Sequence, residues 1–414
     1  MPDTSPLPLW AGRSLALFGI LLMALNLRTA VAAISPVVAE IRADIPLDTL
    51  GLGVIGALPP VAFALSGLFG ARLGRRFGLE PLLLAAITLM VAGHLLRGSA
   101  GSYQVLLAGS VVAFAGIGIG NILLPPLVKR YFPDRIALMT TAYVSLMAIS
   151  GAVPALLAAP VAEAAGWRAS LAMWSILAAV TLVPWLVVIS RTHRGRRALG
   201  PDARARDTRP SSRHHTAMWR SRTAWALAMV FSLLSFQVYA LISWLPRLLV
   251  DTAGVSPLAA GGYLALYVAL GLPLAIVIPR IISRIADVSI LVFLAITLLV
   301  IGYVGLLLAP GSLLVLWVSC AGIGTIMFPG VLTLINLRTR TTTGSGALSG
   351  FTQGIGYAVA AAGPVSFGLL HDATGGWTLP LVTLIAAALA GVVPALLLRE
   401  RAFVEDEIAE SLAR

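Results

Sequence analysis

The sequence predicts an all-α integral membrane protein of twelve transmembrane helices in two pseudo-symmetric six-helix halves. Three observations carry this. Of 414 residues, 58% are hydrophobic and 11% charged, with a mean hydropathy of +0.94, whereas soluble domains carry about 25% charged residues. Apolar runs long enough to cross ~30 Å of hydrocarbon as a helix occur twelve times, at approximately 15–38, 50–71, 81–96, 103–128, 138–162, 169–190, 223–246, 258–279, 288–308, 312–335, 345–370 and 377–398. The chain also repeats itself. Ala115-Gly116-Ile117-Gly118 returns as Ala321-Gly322-Ile323-Gly324, 206 positions on, and Pro154 with Gly166-Trp167 returns as Pro364 with Gly376-Trp377, 210 positions on. Six is an even number of crossings, so the two halves run in the same direction.

The first twelve residues, with Pro2, Pro6 and Pro8, read as an unstructured lead. The first run is long and ends at Ser35-Pro36-Val37-Val38-Ala39-Glu40 in a short acidic loop rather than a mature domain, so it is expected to be retained rather than cleaved. It carries Asn26-Leu27-Arg28, and Arg28 is the one ionised side chain inside any of the twelve runs. A cation at that depth costs ~3 kcal/mol or more unless it faces a water-filled or anion-filled interior, which makes Arg28 a functional candidate by position alone. The second run contains Pro59-Pro60, which remove backbone donors, and a break or kink is expected there.

A tight basic turn is expected at Gly70-Ala71-Arg72-Leu73-Gly74-Arg75-Arg76-Phe77-Gly78. The third run ends near His94, a lone histidine read as hydrogen-bonded structure rather than a proton relay. In the fourth run Gly116 and Gly120 allow close helix approach, and Asn121 is an amide that must find a partner in hydrocarbon. Residues 191–222 form the one long connector, rich in Arg, Gly, Pro and Ser, which divides a first half, 1–190, from a second, 223–414.

The formal net charge of +12 is distributed by topology. With the amino terminus inside, 24 of 29 Lys and Arg fall on inner segments, ten of them between 191 and 222, against Arg42, Arg97, Arg168 and Arg247 outside and Arg28 within. This alternation predicts both termini in the cytoplasm. The connector's arginines are suited to anionic inner-leaflet lipids, and the basic charge is not a nucleic-acid footprint. The single cysteine, Cys320, excludes an internal disulfide framework and a thiolate metal cluster; no cofactor or metal is expected.

Further candidates follow from depth and helical facing. Gln237 shares a face with Trp244 in the seventh run, with Tyr239 off that face, and is expected opposite Arg28. Tyr267 lies deep in the eighth run, below Tyr263, and Gln353 and Tyr357 share a face of the eleventh. Tyr143 and Met147 in the fifth could line an inner vestibule, Met147 reading better as core. Asn26 lies ~200° around the helix from Arg28, so both cannot point into one cavity. No Asp or Glu falls inside any run, which leaves Arg28 an anionic ligand or neutral acceptors as partner.

The Gly70–Gly78 segment resembles the loop signature of the major facilitator superfamily, with Gly74 where that signature usually carries Asp; Gly70, Arg72, Arg75 and Arg76 keep its glycine-punctuated basic character. Within the superfamily the sequence resembles the cyanate and nitroimidazole permeases. The residues that carry this are Asn26-Leu27-Arg28, Gly118-Ile119-Gly120-Asn121-Ile122-Leu123-Leu124-Pro125 with Lys129-Arg130, Gly166-Trp167-Arg168, Ser243-Trp244-Leu245-Pro246, and Ala347-Leu348-Ser349-Gly350 with Gln353, Gly356-Tyr357 and Gly363-Pro364. The resemblance implies a permease of the bacterial inner membrane for a small anionic or heteroaromatic solute, with the site between the halves near midplane. A monomer suffices for this architecture. A multidrug exporter of lipophilic cations would ordinarily need intramembrane acids, which are lacking; a membrane sensor of the same fold would relay through the connector. An enzyme is disfavoured, since no nucleophile–base pair, phosphate loop or metal-ligand cluster occurs at membrane depth.

Overall fold

A computed structural model describes residues 13–196 and 218–413, all helix and connecting turn. The expected lead at 1–12 and most of the basic connector lie outside the described residues. Eleven helical stretches are long and apolar enough to cross a membrane. One of them, Leu138–Ser190, is 53 residues long, about twice what one crossing needs at 1.5 Å per residue. Gly166 divides it with φ 83, ψ 154, and Ser170 Oγ donates to Ala158 O at 2.9 Å, a contact that twelve residues of straight helix would forbid. The chain therefore crosses twelve times. Gly166 is a glycine because a side chain there would occupy the left-handed half of backbone space.

The breaks fall elsewhere than the prolines suggest. Pro59 and Pro60 sit inside one continuous helix, Thr49–Phe77, so the chain is not broken there. The helix also runs through Gly70, Arg72, Gly74 and Arg75, leaving Gly78 (φ 86) as the turn. The first span is the broken one. It runs as Ser14–Asn26, Thr29–Ala32, a 3-10 turn Ser35–Val37 and Val38–Asp44. The eighth and eleventh spans are also jointed, between Ala269 and Gly271 and between Ala360 and Ala362.

Glycines set the close crossings. On the fourth span, Tyr103–Tyr131, three glycines face three helices: a Cβ on Gly116 would meet Ala86 O and Met90 of the third span, one on Gly118 Ser66 and Ala62 of the second, and one on Gly120 Met23 of the first. Each replacement would force a backbone or a buried side chain aside.

The two halves meet along the end remote from the termini. Ser35 Oγ donates to Ser243 O at 2.7 Å; Gly53 and Gly56 lie against Pro364, Val365 and Ser243, and Gly261 against Ala155 and Pro36. Toward the termini the fifth span loses its buried face, with Met139 alone buried among the described side chains of 136–149. Polar contacts at that end are made within each half. Arg13 grips Asp134 through both nitrogens, at 2.6 and 2.8 Å, which holds the Asp134 carboxyl down to about 2. Glu80, near the turn that lacks the signature's Asp, takes the Tyr131 hydroxyl at 2.7 Å and pairs with Arg130. In the second half the tail helix Val404–Ala413 turns three acids back. Glu405 accepts from the N–H groups of Arg340 and Thr341, Asp406 pairs with Arg340, and Glu407 accepts from Thr223 N. These carboxylates complement the positive N-terminal ends of the eleventh and seventh helices.

Candidate substrate site

Arg28 occupies the joint of the broken first span, in non-helical backbone at φ −125, ψ 1. The freed groups at the joint are met locally. The Leu27 N–H reaches Ala24 O at 3.3 Å and the Thr29 hydroxyl donates to Asn26 O at 2.9 Å. Nothing meets the guanidinium: it is half-buried, and among the described residues it makes no hydrogen bond and no ion pair. Its aliphatic stem crosses Gly151 of the fifth span, where a Cβ would stand 3.5 Å from Arg28 Cδ and 2.7 Å from Val268 Cγ1 of the eighth. Glycine at 151 makes room for Val268 of the opposite half, with the Arg28 stem beside it at ordinary contact distance.

Three tyrosines stand on the second half's side of this seam: Tyr267 is the neighbour of Val268, and Tyr239 and Tyr357 are in ring contact. Tyr357 is the hub of an aromatic cluster, with ring centroids 5.4 Å from Phe63, 5.2 Å from Phe231 and 6.4 Å from Tyr239. Phe63 belongs to the second span, so this cluster also joins the halves. Tyr267 is buried and its hydroxyl has no partner among the described residues.

The other sequence candidates divide. Gln353, one turn from Tyr357, donates to Ser349 Oγ at 2.7 Å. Asn121 and Tyr143 are half-buried. Asn26 turns from the centre: its amide donates to Leu22 O and to Thr181 Oγ1 of the sixth span, at 2.8 and 2.9 Å. Gln237 also turns away, donating to Leu233 O at 2.8 Å beside a cavity of about 20 Å³ inside the second half, bordered by Val292, Leu299 and Met327. Tyr239, two positions on, has the inward face instead. The seventh span is packed nearly all round, so polarity did not reveal which side faces Arg28. Trp244 lies fully buried toward the closed end, donating to Pro364 O at 2.8 Å. Of the loop residues, Arg76 is exposed over the Phe77 ring.

Sequence reasoning missed Arg97. It is not a loop residue but the last turn of Leu79–Gly98, fully buried, 5.8 Å from the Phe114 ring centroid. The helical pattern running through Leu95-Leu96-Arg97 was the available signal. His94, three residues before, is buried with Nε2 3.5 Å from Thr29 Oγ1, which ties the third span to the Arg28 joint. Among the described residues no cluster of three or more His, Cys, Asp or Glu could hold a metal ion.

Residues 16–361 match the profile of the Major Facilitator Superfamily. The chain belongs to that superfamily. It is 33% identical over 376 residues to an uncharacterised transporter, YycB, of Bacillus subtilis, with 89% of each chain covered. It is 33% identical over 373 residues to the 2-nitroimidazole transporter of Escherichia coli, covering 89% of this chain and 91% of that one. To the cyanate transport protein CynX of Escherichia coli it is 26% identical over 365 residues, covering 86% and 90%. Among solved structures, a bacterial homologue of the human lysosomal transporter Spinster, inward-facing and unoccupied, matches with a TM-score of 0.70 at 16% identity, over 98% of this chain and 99% of that one. The superfamily member is thus a multi-pass secondary transporter, not an enzyme, and its twelve helices form the two six-helix halves of the major facilitator fold.

Proposed function

We propose that this transporter moves a small anionic or heteroaromatic organic solute, of the cyanate or nitroimidazole class, by alternating access, with Arg28 at the central site. The observation that carries the reading is a half-buried cation at a helix joint, between the halves, with no partner among the described residues. A guanidinium left unpaired there is costly, and an anionic ligand is the partner that offsets the cost while giving the protein something to select. The names of the relatives, one a transporter of a nitro-substituted heteroaromatic and one of an anion, support the class.

The charge distribution supports an inner-membrane protein of a bacterium with both termini cytoplasmic. In that orientation the halves are 1–190 and 223–414, the arginines of the connector 191–222 are suited to anionic lipids, and the Ser35–Ser243 and Gly56–Pro364 contacts lie toward the outside. Rocking of the halves would exchange the Ser35–Ser243 and Gly56–Pro364 contacts for contacts at the other end, in a protein that works as a monomer.

The test is uptake into proteoliposomes of cyanate, 2-nitroimidazole, benzoate and acetate by wild type, Arg28→Ala and Arg28→Lys. Saturable uptake of an anion should fall at least roughly tenfold in Arg28→Ala, the scale of a lost charged hydrogen bond, with partial recovery in Arg28→Lys. Equal uptake by wild type and Arg28→Ala would remove Arg28 from the site.

A further inference from the structure

The groups that converge on Arg28 are donors, and they come from the opposite half of the protein. Arg28 is contributed by the first span; Tyr239, Tyr267 and Tyr357 by the seventh, eighth and eleventh. None of the three phenols donates a hydrogen bond to any described residue, and Tyr239, Tyr267 and Tyr357 are 2%, 4% and 8% exposed. The Tyr267 hydroxyl is moreover buried without a partner among the described residues, which is costly, and guanidinium has five N–H donors and no acceptor. Two geometric facts relate these groups. Arg28 and Val268, the neighbour of Tyr267, meet over Gly151, and the Tyr239 and Tyr357 rings touch edge to face at 6.4 Å.

We propose that the site takes a carboxylate-type oxyanion held as a bridge between the halves, charge-paired with Arg28 and hydrogen-bonded by the phenols of Tyr239, Tyr267 and Tyr357. This deepens the reading of Arg28 as the substrate cation and rests on it. An anion with several acceptor lone pairs satisfies both sets of donors at once; a cation, or a neutral solute presenting only donors, satisfies neither. Because charge and hydroxyls lie on opposite halves, the bound anion draws the two together at mid-depth. Tyr239 is the new member of the shell, a specificity-determining residue on the face of the seventh span opposite to the one its glutamine would suggest.

The structure supplies its own control. Tyr303 is another fully buried tyrosine whose hydroxyl has no partner among the described residues; it lies on the ninth span, Ser289–Leu308, apart from the rings that Tyr357 touches. The experiment is equilibrium binding of labelled benzoate, acetate and cyanate to the purified full-length protein. Wild type is compared with Tyr239→Phe, Tyr267→Phe, Tyr357→Phe, Tyr303→Phe and Arg28→Ala, each first shown to keep its thermal midpoint. Phenylalanine keeps the ring packing and removes the donor. We expect benzoate and acetate to bind wild type. The Kd should rise roughly tenfold for each of the three shell variants, as for a hydrogen bond to a charged group, stay unchanged in Tyr303→Phe, and be lost in Arg28→Ala. Wild-type affinity in all three shell variants, with binding lost in Arg28→Ala, would overturn the phenol shell and leave Arg28 standing. Undiminished binding in Arg28→Ala would overturn the underlying reading itself. A rise in Tyr303→Phe equal to the others would make the hydroxyls structural, and no binding of any carboxylate to wild type would overturn the ligand class.

Discussion

The first and second halves repeat each other contact for contact at their edges and part company at mid-depth. In the first half, Gly93 lets the third helix lie against the backbone of Ala113; in the second, Gly302 does the same with Ala321. Gly116 meets Met90, and Gly324 meets Leu299 in the matching place. Near the closed end, the Trp167 indole donates to Asp44 at 2.9 Å under the Arg168 guanidinium, and the Trp377 indole donates to Asp251 at 3.2 Å under Arg247. Asp251 follows Asp44 by 207 positions, and the same step carries Arg28 to Ser235. There the likeness ends: Ser235 is fully buried in the unbroken helix Arg222–Ala253, whereas Arg28 is half-buried at a joint. What is shared is packing. What differs, a cation on one side and three phenols on the other, is the candidate chemistry.

A smaller asymmetry makes the same point. In the first half Gly109 leaves room for the stem of Arg97, while in the second Gly305 leaves room for the Trp317 ring. The bulky partner has moved from one helix of the pair to the other, and the position that holds the buried Arg97 in the first half is Gly305 in the second. Interior density is preserved although the side chains are exchanged.

The comparison can be broken most forcefully at its glycines. Gly93→Ala and Gly302→Ala each drive a methyl into a neighbouring helix backbone, and each should cost about 3 kcal/mol, at the upper end of overpacking. Thermal unfolding in detergent should show both midpoints falling steeply, Gly93→Ala at least as far, since its crossing is the closer. A large loss in one half with none in the other would mean the crossings are not equivalent. A smaller effect belongs to the indoles. Trp377→Phe should cost ~1 kcal/mol, one net hydrogen bond, and Trp167→Phe should destabilise in the same direction, with substrate affinity intact in both.

Much of the fold was legible because hydropathy and helix length are read over twenty residues at a time. Twelve crossings, the two halves and the Gly166 turn all follow from that scale. Finer features did not survive so well. The Ala-Gly-Ile-Gly motif pairs Gly116 with Gly322, yet the helix contacts pair Gly116 with Gly324, two positions away. The repeat is real, but the four-letter match is out of register with it. Pro59-Pro60 predicted a break that the continuous second helix lacks, and the true joint, at Leu27-Arg28, carries neither proline nor glycine. There the Thr29 hydroxyl takes up the carbonyl of Asn26, a local bond that the residue types do not announce as proline or glycine would. At the site, Arg28 was found because a charge in an apolar run is conspicuous. Tyr239 was passed over because facing was judged from polarity, and Gln237, the more polar residue, spends its amide on its own helix at Leu233.

The central claim is that chemistry resides in the asymmetric position and packing in the symmetric one. It is tested most directly by measuring anion uptake, in vesicles with matched amounts of folded protein, for Arg28→Ala beside Ser235→Ala. Loss of saturable uptake in Arg28→Ala with near wild-type uptake in Ser235→Ala is the predicted result. Equal uptake in the two variants, whether retained or lost, would contradict it.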